Sequence, residues 1–131
     1  MTSPKSSSPP DRLEQAEADA RRALKADDAS AEAHLGLGLL LCRRARWREA
    51  IEPLQRAVEL DPSNAAAHYQ LGEAYNSTDR LRDALEAYET AAQLQPENWR
   101  ALKGIGIVFD RMGKPAEATA AYQRAREVQS R

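Results

Sequence analysis

The chain contains few residues of the types that bind metals or act as nucleophiles: two histidines and a single cysteine. His34 and His68 are 34 residues apart, whereas a zinc site needs several ligands that converge on one ion. Cys42 has no second cysteine with which to form an internal disulfide, so folding does not need an oxidising compartment. We therefore predict no metal site, and we expect both histidines to pack between helices.

Two glycine pairs resemble the start of a dinucleotide-binding loop. Gly36 with Gly38 and Gly104 with Gly106 lack the third glycine of that loop, and both pairs lie inside helical patterns with no preceding strand. The chain also has no Gly-Lys-Ser/Thr phosphate loop, and no serine has the surroundings of a nucleophile elbow. We predict that the protein is not an enzyme and that it uses no cofactor.

Arginines concentrate at one predicted turn, at Arg43, Arg44, Arg46 and Arg48. One interpretation is a contact with phosphate or RNA, and the other is a solvated turn. We favour the solvated turn because Glu49 and Glu52 neutralise part of the charge, and Trp47 is the one aromatic nearby that could stack on a base. With 19 basic and 20 acidic residues, the chain has a net charge of -1 and no excess positive charge for nucleic acid or an anionic membrane.

The elements that carry these residues follow a 34-residue repeat. Alanine recurs at this interval at Ala16, Ala50, Ala84 and Ala118. Glycine keeps the same interval at Gly38, Gly72 and Gly106. Within a unit, apolar residues such as Leu71, Ala74 and Tyr75 follow helical spacing, so each unit is predicted to be two amphipathic helices joined by a short turn.

The repeat pattern resembles that of the tetratricopeptide repeat family. Residues 65–98 give the fullest match, at Leu71, Gly72, Tyr75, Ala84, Tyr88, Ala91 and Pro96. Residues 31–64 and 99–131 match as two further repeats, and residues 11–30 resemble the second helix of a half-repeat. The resemblance implies an all-α, right-handed α-solenoid of three helix-turn-helix repeats plus an N-terminal helix, about seven helices in all.

The repeat pattern predicts helices at residues 11–27, 31–44, 47–60, 65–78, 81–94, 99–112 and 115–129. Residues 1–10 are rich in serine and proline and are predicted to be a disordered tail, so the repeat domain covers residues 11–131. The tail lacks the apolar core of a secretory signal, and no apolar run is long enough to span a bilayer. These features predict a cytoplasmic protein without a membrane partner.

In this family, the first helix of each repeat lines a concave groove that binds another protein. The resemblance assigns the following residues to the groove: Leu35, Leu39, Arg43, Tyr69, Gln70, Glu73, Asn76, Arg100, Lys103, Ile107 and Arg111. Arg100, Lys103 and Arg111 are expected to form a basic lip at one end, and the other end is apolar. Gly36 and Gly104 also fall in the groove, either because neighbouring helices are crowded there or because a ligand backbone comes close.

Some family members clamp the C-terminal carboxylate of a chaperone with lysine, arginine and asparagine side chains in the groove. In this chain the clamp positions hold Leu35, Leu39, Gln70, Arg100 and Gly104. Only Arg100 keeps the clamp chemistry. The resemblance therefore does not support binding of a chaperone tail.

We predict a non-catalytic scaffold or adaptor that binds a peptide segment or a partner protein in the concave groove. Two alternatives stay open: a homo-oligomeric assembly module, and an accessory subunit or fragment of a larger enzyme. Thr119 and Arg126 in the last helix replace apolar residues that meet the next unit in earlier repeats. Because burying an unpaired cation is costly, the C-terminal end is predicted to be a polar cap on a monomer, with weak self-association through Tyr122 and Val128 left open.

Overall fold

The computed structural model describes residues 11–131, and these form α-helices without any strand. The helices are α1 (Arg12–Ala26), α2 (Ala31–Arg43), α3 (Trp47–Leu60), α4 (Ala65–Ser77), α5 (Leu81–Leu94), α6 (Trp99–Arg111) and α7 (Pro115–Gln129). Every predicted helix is present, and its boundaries lie within one residue of the prediction. The predicted tail, residues 1–10, lies outside the described residues.

From α2 onward, the starts of the helices follow two local signals that alternate along the chain. Ser30, Asn64 and Asn98 precede α2, α4 and α6, and each side-chain oxygen accepts a hydrogen bond from the backbone N–H three residues later. A residue in the left-handed region precedes α3, α5 and α7 instead. These left-handed residues are Ala45, Asp79 and Gly113. The alternation divides each repeat into a first helix, capped by a side chain, and a second helix that follows a tight turn.

The helices stack in chain order, each against the next, and the first helices also pack against one another, α2 on α4 and α4 on α6. Within residues 11–131, no second helix contacts another second helix. The first helices are therefore the more closely spaced layer and line the inner, concave side of the stack. The second helices α3, α5 and α7, together with α1, form the convex back. The predicted all-α solenoid is confirmed.

The two histidines tie first helices to the turns before them. The Nε2 atom of His34 lies 2.8 Å from the carbonyl oxygen of Asp28, and that of His68 lies 2.9 Å from the carbonyl oxygen of Pro62. Both histidines are half-buried. Each ring therefore has a local structural role, since a carbonyl oxygen in this position accepts a hydrogen bond from the ring N–H.

Candidate partner-binding site

The middle of the concave side contains Tyr69 and Glu73, which meet a second tyrosine, Tyr88 of α5, buried beneath them. Tyr88 is fully buried, and its hydroxyl donates a hydrogen bond to the Glu73 carboxylate. The half-buried Tyr69 ring lies 5.8 Å from the Tyr88 ring, centroid to centroid, with an angle of 52° between the ring planes. Tilted aromatic pairs at such distances stabilise each other beyond the effect of the area they bury. Two predicted groove residues, Tyr69 and Glu73, thus meet on Tyr88, which the sequence had not assigned to the groove.

Both phenol groups are neutral in this setting. Burial, the hydrogen bond to Glu73 and the charge of Glu73 raise the pKa of Tyr88 well above its usual value. Burial and the charge of Glu73 also raise the pKa of Tyr69, although the charge of nearby Arg100 opposes the rise. At neutral pH, Tyr69 therefore offers a partner an apolar ring and a neutral hydroxyl that can donate or accept a hydrogen bond.

The glycines of the groove have different surroundings. A Cβ atom at Gly104 would lie 2.7 Å from ring atoms of Tyr88, and a Cβ atom at Gly72 would also lie 2.7 Å from that ring. Glycine is thus required on both sides of Tyr88 by helix packing. A Cβ atom at Gly36 would meet nothing within 4 Å. Gly36 faces a smaller residue, since Ala20 occupies the repeat position of Tyr88, so crowding explains Gly104 but not Gly36.

Arg111 and Asn76 come together at one edge of the concave side. Arg111 Nη1 donates hydrogen bonds to the Asn76 carbonyl oxygen at 2.6 Å and to Asn76 Oδ1 at 2.5 Å, and Arg111 Nη2 forms an ion pair with Asp79. The guanidinium therefore joins the C-terminal end of α6 to that of α4. This pairing corrects the expected basic lip, because Arg111 is already matched and the lip is reduced to Arg100 and Lys103.

Arg100 lies beside an aromatic residue that sequence reasoning missed. Its guanidinium carbon is 4.7 Å from the centroid of the Trp99 ring, a distance at which a cation is attracted to the ring face. Arg100 and Lys103 are both exposed, and Trp99 is half-buried. The available signal was an aromatic directly before a cation at the start of a first helix. The lip therefore combines a cationic and an aromatic surface.

The other predicted groove residues surround this centre. Leu35 and Leu39 of α2 are half-buried, and Arg43 at the end of α2 is exposed. Gln70 of α4 and Ile107 of α6 are half-buried. The residues thus provide partly accessible apolar surface on α2 and α6, with polar groups on α4 between them.

Cys42 does not add reactivity to this surface. The residue is buried in the core cluster at 8% exposure. Burial, followed by the charge of Glu73, raises the pKa of its thiol to about 11. Because the thiolate is the nucleophilic form, the thiol of Cys42 is protonated and unreactive at neutral pH.

A second cluster of charges lies at the N-terminal end of the stack, around Glu17 of α1. Glu17 is the one buried charged residue of the described range. Its carboxylate accepts hydrogen bonds from Arg44 at 2.8 Å, Arg46 at 2.6 Å and Arg21 at 3.1 Å. Burial acts to raise the pKa of Glu17, but the hydrogen bond from Arg21 and the charges of Arg46 and Arg21 outweigh it, so the pKa lies below its usual value. The arginines thus hold an ionised carboxylate between α1 and the turn after α2.

This cluster corrects the interpretation of the arginine-rich turn as simply solvated. Arg46 pairs with Glu49, as predicted, but Arg44 and Arg46 also share Glu17, which sequence reasoning missed. Glu17 precedes Arg44 by 27 residues, so no local pattern connects them. Two of the four arginines therefore fasten the half-repeat to the first full repeat.

The described residues offer neither a cluster of metal ligands nor a membrane-spanning helix. Residues 11–131 contain no group of three or more histidine, cysteine or acidic side chains placed to hold a metal ion. None of the helices in that range has the length and apolar character needed to cross a bilayer.

Family models match most of the chain. A TPR repeat model matches residues 40–79, and a tetratricopeptide repeat model matches residues 63–131, more than half of the sequence. The chain belongs to the tetratricopeptide repeat family, as its repeat pattern predicted. Stacked helical repeats present extended concave binding surfaces, so the family supports a general role as a protein-interaction scaffold.

Solved structures of MamA have the same fold. One crystal structure of MamA has a TM-score of 0.86 and 31% identity, and the match covers 90% of this chain and 69% of that chain. Another crystal structure of MamA has a TM-score of 0.85 and 31% identity, covering 90% and 64% of the two chains. MamA from Desulfovibrio magneticus RS-1 shares the fold with a TM-score of 0.85 at 24% identity, covering 90% and 67%. No curated protein matches the chain by sequence.

Proposed function

We propose that the concave side formed by α2, α4 and α6 binds a segment of another protein without catalysis, and that the protein acts as an adaptor in the cytoplasm. The observation that carries the proposal is the surroundings of Tyr69. Its ring is partly accessible, supported from behind by Tyr88, and flanked by Glu73 and Arg100. A rigid aromatic residue with charged neighbours has the features of an interface anchor.

The charges and apolar residues of the concave side indicate the character of the ligand. Leu35 and Leu39 provide apolar surface on α2, while Arg100 and Lys103 provide two exposed cations on α6. Tyr69 lies between the two regions. We therefore expect an extended or helical segment with an apolar side chain near α2 and an acidic group near α6.

The C-terminal end supports a monomer as the proposed state. Thr119 and Arg126 are exposed on α7, whereas the equivalent residues Leu85 and Ala92 of α5 are half-buried against the core. A polar outer face is what a terminal repeat needs for solubility. Sedimentation at micromolar concentration tests this proposal, and a stable dimer would contradict it.

The groove is tested by capture of partners from native lysate, followed by titration of the partner that is found. Tyr69→Ala is expected to weaken binding by about 1–3 kcal/mol, within the range seen for aromatic anchors. Leu94→Ala is the matched control, because Leu94 is a large apolar residue exposed on the second helix α5. An unchanged affinity of a folded Tyr69→Ala variant would show that the partner binds elsewhere.

A further inference from the structure

A cavity of about 300 Å³ lies at the C-terminal end of the solenoid, between α6 and α7. The residues that line it are Trp99, Lys103, Tyr122, Ala125, Arg126 and Gln129. Two of these side chains are aromatic, two are cationic and none is acidic. The lining therefore combines two aromatic rings with two cations. The cavity is partly outside the predicted concave groove, because most of its lining belongs to α7.

The tyrosine of this cavity is packed on one side only. A Cβ atom at Gly106 would lie 2.6 Å from the Tyr122 ring, so the inner face of the ring lies directly on α6. The Tyr122 hydroxyl donates a hydrogen bond of 2.9 Å to Asp110. Tyr122 is nevertheless half-buried, while Lys103 and Arg126 are exposed. The opposite side of the ring lines the cavity.

The junction between α5 and α6 shows what fits against such a surface. Tyr88 and Tyr69 occupy the repeat positions of Tyr122 and Lys103, 34 residues earlier. Gly104 of the following first helix packs on the Tyr88 ring. Arg100, four residues before Gly104, lies close enough to Tyr69 for its charge to oppose the rise in the pKa of that phenol. Helix α6 thus places Gly104 on the Tyr88 ring. One turn before that glycine, it places Arg100 beside Tyr69, which is the repeat equivalent of Lys103.

We propose that this end surface, formed by the six cavity residues, binds a helix of a partner protein that carries an acidic residue four positions before a glycine or alanine. The small residue lets the helix backbone approach Tyr122, as Gly104 approaches Tyr88. The acidic residue meets Lys103, and Arg126 adds a second positive charge. This end surface shares Lys103 with the concave groove but extends beyond it onto α7, where Tyr122 and Arg126 lie.

The chain itself contains a first helix with this pair of residues, Glu32 and Gly36 in α2. Within each molecule α1 packs on α2 as α5 packs on α6, so α1 occupies the side of α2 that the end surface of a second copy would have to cover. The complementary charges and the covered state of α2 therefore favour a partner helix over self-assembly. A peptide with the α2 sequence can serve as a probe, since it carries an acidic residue four positions before a glycine.

The probe is a helix-stapled peptide that copies residues 30–44 with Cys42→Ser, its helicity verified by circular dichroism, and titrated against the full chain by fluorescence anisotropy. We expect saturable binding. Gly36→Leu in the peptide is expected to weaken it at least tenfold, and Arg126→Glu in the protein at least fivefold. Lys103→Glu in the protein is also expected to weaken binding. Glu32→Lys in the peptide should then restore most of the affinity that Lys103→Glu removes. Lys114→Glu, an exposed cation outside the cavity, is the charge-matched control.

Several results would overturn the proposal. One is the absence of saturable binding by the verified helix, and another is equal affinity for the Gly36→Leu peptide. A loss with Lys103→Glu but not with Arg126→Glu would assign the peptide to the concave groove. A concentration-dependent dimer of the free protein that Arg126→Glu abolishes would assign the end surface to a second copy.

Discussion

The first and last internal junctions of the solenoid have the same topology but are stabilised by different interactions. Between α5 and α6, the buried Tyr88 ring fills the space between Gly72 and Gly104. Between α1 and the first full repeat, the equivalent positions hold Ala20 and Gly36, which leave the space beside Gly36 open. Here the charges of Glu17 and its arginines join the elements. The same helix arrangement thus accepts either an apolar joint, packed around a buried ring, or an ionic joint, held together by ion pairs.

The difference follows from what each junction can bury. The α5/α6 joint lies inside the stack and removes a large ring from water, which is the stronger source of stability. The α1 joint lies at the N-terminal end of the described stack. Arg44 and Arg46 keep a quarter to a third of their side-chain surface exposed, so their ion pairs with Glu17 are partly solvated.

The largest effect is expected from truncating the apolar joint. Tyr88→Ala should lower the free energy of unfolding by about 3–5 kcal/mol, the range for removing a buried aromatic side chain. Tyr122→Ala is the matched control at the same repeat position, and its loss should be smaller because Tyr122 is only half-buried. Urea titration followed by circular dichroism measures both. Equal losses would show that ring burial is not what distinguishes this joint.

The glycines provide a sharper test of the same comparison. Gly104→Ala should destabilise the protein by about 1–3 kcal/mol, because the added methyl group would overpack against Tyr88. Gly36→Ala should stabilise it by about 0.5–1 kcal/mol, since alanine favours the helix interior and meets no neighbour there. Thermal and urea denaturation of the two variants should therefore shift in opposite directions. A loss of stability in Gly36→Ala would mean that the α1 joint is as crowded as the α5/α6 joint.

The ionic joint should contribute less to the free energy of unfolding than the apolar joint, and its loss should affect mainly α1. Glu17→Ala is expected to cost about 1–2 kcal/mol, between the values for exposed and fully buried pairs, because Arg44 and Arg46 would be left close together. Hydrogen exchange should increase mainly in α1. Asp19→Ala removes an exposed acidic residue of the same helix and is the control. Uniform exchange along the chain would contradict a local joint.

The smallest effect is the pH dependence of the α1 joint. The pKa of Glu17 is lowered in the folded protein, so its contribution is complete above its unfolded value of about 4.3 and is lost as pH falls through the lower folded value. Exchange in α1 should therefore increase below about pH 4. Glu17→Gln should exchange faster at neutral pH and respond less to acid. An identical acid response in that variant would assign the transition to other carboxylates.

Much of the candidate site followed from repeat positions, but its internal pairing did not. Tyr69, Glu73 and Arg100 were assigned to the groove by the resemblance to the tetratricopeptide repeat family. The burial of Tyr88 beneath Tyr69, and the pairing of Arg111 with Asn76 and Asp79, were not predicted. The latter contacts join residues 35 and 32 positions apart. Local periodicity does not indicate such pairs, because it shows which face of a helix a residue occupies but not which residue of another helix contacts it.

The sequence by itself determined the seven helices, their boundaries and the order of stacking, because helical periodicity, caps and turns act within a few residues and the 34-residue interval repeats them. Only the tertiary structure decided which glycine is required and which acidic residue is buried. Gly36 and Gly104 have the same repeat position and differ only in the side chain that the preceding unit places against them. Glu17 is buried and ionised because arginines of another repeat surround it, and such contacts form only when the units stack.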